Sequence, residues 1–301
     1  MQYAIIGAGG TGGVVGYFMT KAGKDVTLIA RGRHLEAMKE HGLTLERLWD
    51  PNPETIAVKA TDMEHYKEQP DVILVCVKGY SLEDTVPFIR RVAKPDTIVI
   101  PILNIYGTGA AMNQRLPELT ILDGCIYIVA YIEEPGVICQ SGNIFKVVFG
   151  PRKGKQITPI MKRIKEDLEK SQIEVVLSDD IESEAFLKYT FIAPYAAAGA
   201  YFDVPAQFLQ ENCEMRSTFH ALVEEIVRVG KALGLTIPED IVEKNMAILD
   251  QLLPGTTASM QKDLKRGGQS EIDGLIFEVI RKAKMAQVSV PMFQKVADKF
   301  N

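Results

Sequence analysis

The stretch that decides the fold is Met1-Gln-Tyr-Ala-Ile-Ile-Gly-Ala-Gly-Gly-Thr-Gly12, in a chain of 301 residues. Its apolar run at residues 3–6 is bounded by glycine, which is typical of a buried strand in a parallel sheet. Gly7, Gly9 and Gly12 follow with G-x-G-x-x-G spacing, and a helical stretch continues to about residue 22. A strand, a glycine-rich turn and a helix in this order predict a site for the phosphates of a dinucleotide.

Each glycine of the turn has a separate physical task. Gly7 permits the tight change of direction, Gly9 lets a pyrophosphate approach the backbone, and Gly12 lets the helix pack close to the strand. The N–H groups and partial positive charge of the helix N-terminus favour the phosphates. The alternative is a turn with a purely structural purpose. The predicted cofactor-binding residues of the turn are Gly7, Ala8, Gly9, Gly10, Thr11 and Gly12.

The end of the second predicted strand, at residues 26–30, indicates which dinucleotide binds. NAD enzymes of this fold usually carry Asp or Glu there to bind the ribose 2′-hydroxyl. This chain carries Arg31 and Arg33, and a guanidinium binds a 2′-phosphate with two charge-assisted hydrogen bonds. We therefore predict NADP as the cofactor and Arg31 as a cofactor-binding residue. Two solvated surface arginines are the alternative.

Composition narrows the class of protein. Hydrophobic residues make up 47% and charged residues 24%, as in an ordinary soluble globular protein. The net charge of −5 argues against a nucleic acid or an anionic membrane as the main partner. The four cysteines form no C-x-x-C pair, which favours reduced thiols and a cytoplasmic location. The four histidines show no metal-ligand spacing, so no metal is expected, and no signal peptide is predicted.

Strand and helix patterns divide the chain into two predicted domains. The expected strands share short apolar runs, at residues 43–45, 55–60, 72–77, 97–100 and 173–177, with a meander over 124–150. The expected helices of this half cover residues 33–41, 81–92 (with Ser81 as the cap) and 158–170. Residues 178–180 mark the boundary, and only helical stripes follow. We predict an α/β Rossmann-type N-terminal domain (1–178), which binds NADP, followed by an all-α C-terminal domain (179–301) for substrate and catalysis.

Three further residues are candidates for chemistry. Lys78 follows the predicted strand at 72–77, on the cofactor side of the sheet, although an exposed loop lysine would look the same. Lys188 is the single charge in residues 185–202, a run too interrupted for a membrane span and better interpreted as a buried helix kinked or broken at Pro194. Such a lysine either extends its ammonium to solvent or does chemistry. Ser270 is predicted to cap a helix whose first residue is Glu271, a position that also suits a purely structural carboxylate.

Together these residues resemble the ketopantoate reductase family over essentially the whole chain. The segments that carry the resemblance are the opening glycines, Ala30-Arg31, Val77-Lys78, Asn104, Glu184-Ala-Phe-Leu-Lys188, Ser259-Met260 and Ser270-Glu-Ile-Asp273. The resemblance implies a Rossmann domain, a helical domain and NADPH-dependent reduction of 2-dehydropantoate to (R)-pantoate, on the route to pantothenate and coenzyme A. The oligomeric state is left open, with a homodimer among the options.

The resemblance also implies roles for individual residues. Lys188 would donate a proton to the carbonyl oxygen as hydride arrives from the nicotinamide, and Glu271 would orient substrate or cofactor. Asn104 would touch both cofactor and substrate, Ser259 would hold the substrate, and Ala130 would line the cofactor. A positioned acid is physically sensible, because hydride addition puts negative charge on that oxygen.

Four positions depart from the family pattern. The family commonly carries amide side chains where this chain has Ile192, Ala196 and Ala206, and Asn-Gly where it has Asn104-Ile105. A site without those amides should discriminate weakly for polar substrate groups. Two alternatives therefore stand beside the main hypothesis: reduction of a more apolar 2-oxoacid, and a non-catalytic NADP-binding sensor.

Overall fold

The apolar run at the N-terminus forms β1 (Gln2–Ile6), near the middle of a six-stranded sheet. The computed structural model describes residues 1–300. The other strands of this sheet are β2 (Asp25–Ile29), β5 (Lys59–Thr61), β6 (Val72–Val75), β7 (Ile98–Pro101) and β8 (Thr120–Ile121). All are parallel, in the order β5-β2-β1-β6-β7-β8. This is the doubly wound order of a Rossmann fold, with its switch point between β1 and β6.

Both faces of the sheet are covered, which explains why its strands are continuous apolar runs. Ile5 packs in the core on one face and Ile6 in the core on the other, and neither is exposed to solvent. The helices of this part are α1 (Gly10–Lys21), α2 (Gly32–His41), α3 (Leu82–Val92), α4 (Thr108–Arg115) and α5 (Pro159–Lys170). Ser81 is the N-cap residue of α3, but its side chain makes no capping hydrogen bond, contrary to the predicted cap.

The predicted meander over residues 124–150 is wrong in its pairing, although the strands exist. They are β9 (Asp123–Tyr127), β10 (Ala130–Glu134), β11 (Val137–Gln140) and β12 (Lys146–Gly150), and the remaining strands are β3 (Leu43–Arg47), β4 (Asp50–Ile56) and β13 (Glu174–Leu177). β10 and β11 join β3 and β4 in a four-stranded sheet, whereas β9 and β12 pair with β13 in a separate three-stranded sheet. Local patterns cannot reveal such distant pairing, because the partner strands lie far away in the sequence.

The chain divides into two compact units, with the division between Ile181 and Glu182. No strand occurs among residues 182–300. The helices from the division onward are α6 (Ile181–Phe202), α7 (Ala206–Glu211), α8 (Cys213–Ala232), α9 (Ile241–Gln251), α10 (Ser259–Lys265), α11 (Glu278–Met285) and α12 (Pro291–Ala297). An α/β Rossmann-type unit followed by an all-α unit confirms the predicted fold class.

The structure resolves one local prediction in the helical unit and corrects another. α6 runs through Pro194, so the helix is not broken there, and a kink stays a prediction. Ser270 is not the N-cap of the helical segment before α11, and Glu271 is not its first residue: that segment starts at Ile272, and the carbonyl of Glu271 accepts the first helical hydrogen bond, from the Leu275 N–H at 2.9 Å. The segment then continues as a π-helical turn, Asp273–Phe277, before α11. A π-helical turn inserts one residue into the helix and is frequent at functional sites.

Candidate functional site

The glycine turn of the N-terminal unit leaves open space beside its backbone at one position. Gly7 adopts φ +94° and closes against the backbone of Cys76, whereas a Cβ on Gly9 would meet no atom within 4 Å. A Cβ on Gly12 would lie 2.2 Å from the carbonyl oxygen of Gly7, so the helix and the turn are in close contact. α1 begins at Gly10, and the first N–H groups of a helix have no partners within it. Open space beside helix N–H groups fits the pyrophosphate of a dinucleotide.

Arg31 lies where the sequence analysis places it, directly after the carboxyl end of β2. It is the exposed N-cap residue of α2. The N–H groups of Gly7 and Ala8 both donate to the Ile29 carbonyl oxygen, at 3.0 and 3.3 Å. The glycine turn is therefore hydrogen-bonded to the last residue of β2, two residues before Arg31 and the start of α2.

The other predicted residues of this unit lie at the same edge of the sheet or against the glycine turn. Lys78 follows β6 and Asn104 follows β7, and both are half-buried. Since β1, β2, β6 and β7 are parallel, their carboxyl ends meet at one edge. Ala130 approaches from another sheet: a Cβ on Gly10 would lie 2.3 Å from its carbonyl oxygen. The structure thus collects the predicted dinucleotide residues on one side of this unit.

In the helical unit, Lys188 lies on the half-buried side of α6. Ile192, one turn later, is half-buried as well, while Tyr189 and Ala193 between them are buried. Of the three positions that replace the family's amides, Ile192 alone retains exposure, because Ala196 is 2% exposed and Ala206 is fully buried. The apolar change near Lys188 is therefore concentrated at Ile192.

Ser259 is the exposed first residue of α10, and a buried glutamine fixes the start of that helix. Gln261 donates from its amide nitrogen to the carbonyl oxygens of Gly199 and Val204, at 2.9 and 3.0 Å. Its amide oxygen accepts from the Ala258 N–H at 2.9 Å. These three bonds join the N-terminus of α10 to the C-terminal end of α6.

Glu271 is only 4% exposed and immediately precedes the helical segment that contains the π-helical turn. The hydroxyl of Tyr189 donates to the Gly274 carbonyl oxygen at 2.6 Å, which ties that turn to α6 next to Lys188. Complete burial raises the pKa of Tyr189 well above its usual value, so its hydroxyl stays protonated and remains a donor. α6 therefore supports both segments that carry the other candidates, Ser259 and Glu271.

Sequence reasoning missed three supporting residues: His34, Tyr189 and Gln261. Gln261 had a recognisable signal, since Gln at the third position of a helix often bonds back to the N-cap N–H. Here the N-cap is Ala258 rather than Ser or Thr, which obscured the pattern. Tyr189 bonds to the backbone of Gly274, 85 residues distant, and the His34 ring bonds to the backbone of Ala8 and Gly136, 26 and 102 residues distant. No local pattern signals these partners.

Two further properties concern the described residues 1–300. No helix within residues 1–300 is long and apolar enough to cross a membrane. Over the same residues, no group of three or more His, Cys, Asp or Glu side chains could hold a metal ion.

In comparison with known proteins, two models of one protein family match this chain, one in each half. The model described as "Ketopantoate reductase PanE/ApbA" matches residues 3–154, and the model of its C-terminal domain matches residues 180–301. The chain is 27% identical to "Uncharacterized oxidoreductase YkpB" of Bacillus subtilis, covering 98% of this chain and 96% of that protein. It is 26% identical to 2-dehydropantoate 2-reductase of Pyrococcus horikoshii, covering 97% and 94%.

A similar fold occurs in a solved structure with a different named activity. D-mandelate dehydrogenase, in a ternary structure with NADH and anilino(oxo)acetate, superposes with a TM-score of 0.89 at 22% identity, covering 99% of this chain and 96% of that one. At this identity the likeness establishes the fold alone.

Proposed function

This chain belongs to the ketopantoate reductase family of oxidoreductases, and we propose that it reduces 2-dehydropantoate to (R)-pantoate with NADPH. Pantoate is a precursor of pantothenate and coenzyme A. The observation that carries the proposal is the match of the family to both units, in a chain that retains Lys188, Ser259 and Glu271.

In the proposed reaction, the N-terminal unit binds the cofactor. The N-terminus of α1 and the open space at Gly9 receive the pyrophosphate, Arg31 binds the 2′-phosphate, and Lys78, Asn104 and Ala130 line the remainder. When bound, NADPH supplies a hydride to carbon 2 of the oxoacid. Preference for NADPH rests on a guanidinium standing where NAD enzymes usually carry a carboxylate, because a carboxylate would repel the 2′-phosphate.

The helical unit supplies the acid. As the carbonyl carbon gains a hydride, its oxygen gains negative charge, and the Lys188 ammonium gives that oxygen a proton to complete the hydroxyl group. Lys188 then regains a proton from water. Ser259 holds the substrate, and Glu271 orients substrate or cofactor from the segment that Tyr189 ties to α6.

One observation favours a second candidate, reduction of a more apolar 2-oxoacid. Ile192 is half-buried one turn from Lys188, on the same side of α6, where the family commonly carries an amide. An apolar side chain cannot hydrogen-bond a substrate hydroxyl, so a site with Ile192 would not penalise a substrate that lacks one. D-mandelate dehydrogenase, which has a similar fold, contains NADH and anilino(oxo)acetate, a carboxylate with an aromatic ring, in its ternary structure.

The test is an NADPH-oxidation assay with 2-dehydropantoate and a series of 2-oxoacids of increasing apolar character. The proposal expects the highest kcat/KM for 2-dehydropantoate, and higher values for an aryl 2-oxoacid would establish the second candidate. An enzyme that binds NADPH and reduces none of these acids would be a cofactor-binding sensor instead.

A further inference from the structure

His34 lies in the first turn of α2, three residues after Arg31, and both nitrogens of its ring bond to the backbone of other segments. Nε2 lies 2.9 Å from the Ala8 carbonyl oxygen, and the Gly136 N–H donates to Nδ1 at 3.0 Å. A carbonyl oxygen can only accept and a backbone N–H can only donate. Nε2 must therefore carry the proton and Nδ1 must carry none, which defines one neutral tautomer.

The surroundings of the ring keep it neutral. Burial lowers the pKa of the His34 imidazole below its usual value, and the hydrogen bond to Ala8 offsets only part of that effect. Protonation would place a second N–H directly opposite the Gly136 N–H. The glycine turn carries no titratable side chain. In the adjoining segments the charged side chains are exposed, and the buried titratable group is the Cys139 thiol of β11. The exposed titratable side chains are Arg31, Arg33, Glu36, Lys39, Glu40 and His41 in or beside α2, and Tyr131, Glu133 and Glu134 of β10.

Gly136 belongs to the tight turn between β10 and β11, and the start of the same hairpin touches the glycine turn directly. Ala130 is the first residue of β10, and its carbonyl oxygen occupies the place that a side chain on Gly10 would need. The hairpin therefore contacts the glycine turn at two points: directly at Gly10, and through the ring of His34 at Ala8. α2, which begins next to Arg31, is held by the same ring.

We propose that His34 is a positioning residue for the dinucleotide. Its ring fixes the glycine turn, the first turn of α2 and the β10–β11 hairpin in one arrangement, so that the N-terminus of α1 and Arg31 face the phosphates together. The ligand is the dinucleotide of the proposed function, on which this role rests. No charge or reacting atom of His34 touches the cofactor in this role, because both of its nitrogens are already bonded to backbone.

The test is calorimetric titration of the protein with NADP⁺ and with NAD⁺, alongside the melting temperature of each variant without cofactor. His34→Leu keeps apolar volume but loses both bonds, and we expect it to weaken NADP⁺ binding by roughly tenfold. His34→Gln offers one donor and one acceptor without a titrating ring, and should recover most of the affinity. His41→Gln, at the exposed end of the same helix, should bind like the wild type.

The outcomes separate a positioning role from a structural one. His34→Leu binding NADP⁺ as tightly as the wild type would overturn the proposal. Equal losses of affinity in the Leu and Gln variants, in proportion to equal losses of melting temperature, would also overturn it, because they would indicate only a weakened fold. A wild type that binds neither dinucleotide would overturn the proposed function, and the role of His34 with it.

A second measurement does not depend on any variant folding. In ¹⁵N spectra of the wild-type imidazoles at neutral pH, His34 should show a protonated Nε2 and an unprotonated Nδ1, and both signals should shift when NADP⁺ is added. The signals of His41 should not respond to NADP⁺. A mixture of tautomers at His34, or signals that NADP⁺ leaves unchanged, would contradict the proposal.

Discussion

In the N-terminal unit most candidate residues follow the ends of parallel strands, whereas in the helical unit the candidates lie on or beside three separate helical segments. β1 leads into the glycine turn, β2 into Arg31, and β6 into Lys78, so strand direction alone gathers them. Lys188, Ser259 and Glu271 have no such common frame, and buried side chains such as Gln261 and Tyr189 hold their segments to α6. The difference predicts a division of labour, with cofactor affinity set by one unit and proton transfer by the other.

The largest expected effect tests whether the helical unit carries out proton transfer. Lys188→Met keeps the length of the side chain and removes its proton, so turnover should fall by about 10²–10⁴-fold, the usual scale for a positioned general acid. NADPH affinity, measured by calorimetry, should stay close to that of the wild type. Lys244→Met, at an exposed lysine of α9, is the control and should turn over normally. Full activity in Lys188→Met would mean that the acid lies elsewhere.

The next effect concerns the glycine turn. Gly9→Ala places a methyl group in open space with an ordinary φ of −74°, so the fold should tolerate it. The methyl would exclude a pyrophosphate from the helix N-terminus, and the loss of about 3 kcal/mol of charge-assisted bonding corresponds to roughly a hundredfold in affinity. NADPH and NADH should suffer equally, since both contain the pyrophosphate.

Gly12→Ala provides the contrast to Gly9→Ala. Its methyl would lie 2.2 Å from the Gly7 carbonyl oxygen. The clash should lower the melting temperature of this variant even without cofactor. If Gly9→Ala binds both dinucleotides as tightly as the wild type, the glycine turn is not part of the cofactor site.

A more selective effect is expected at Arg31. Arg31→Ala should weaken NADPH binding by about tenfold to a hundredfold, equivalent to 1.5–3 kcal/mol for a bidentate contact with phosphate, and should leave NADH binding nearly unchanged. Arg33→Ala, two residues further along the same helix, is the matched comparison and should have little effect. Equal loss for both dinucleotides, or a wild type that prefers NADH, would contradict the role of Arg31.

The smallest expected effect tests whether tertiary contacts organise the helical unit. Gln261→Met would leave the carbonyl oxygen of Val204 and the Ala258 N–H without the Gln261 amide, while the Gly199 carbonyl oxygen would keep only the Val204 N–H at 3.3 Å. Leaving buried polar groups unsatisfied should lower the free energy of unfolding by about 1–3 kcal/mol, measured by urea denaturation. KM for the oxoacid should also rise, because α10 carries Ser259. Gln269→Met, at an exposed glutamine, should change neither quantity.

The same comparison explains how far the sequence could be interpreted. The strand, turn and helix around Gly7 are coded locally, by apolar runs and by glycines where the backbone needs them, so the fold class and the position of the glycine turn could be predicted. The pairing of β11 with β3 could not, because the two strands lie far apart in the sequence. The bonds of His34 and Tyr189 to distant backbone were likewise invisible to local patterns.

The most direct test of the central claim follows the hydride itself. The wild type and Lys188→Met are each incubated with NADPH that carries deuterium at C4 of the nicotinamide, in one or the other of its two configurations. The substrate is 2-dehydropantoate or an aryl 2-oxoacid, and the mass of the product is measured by mass spectrometry. We predict a 2-hydroxyacid heavier by a single deuterium with one configuration of the label, formed by the wild type and almost abolished in Lys188→Met. Tight binding of NADPH without any labelled hydroxyacid would contradict the account.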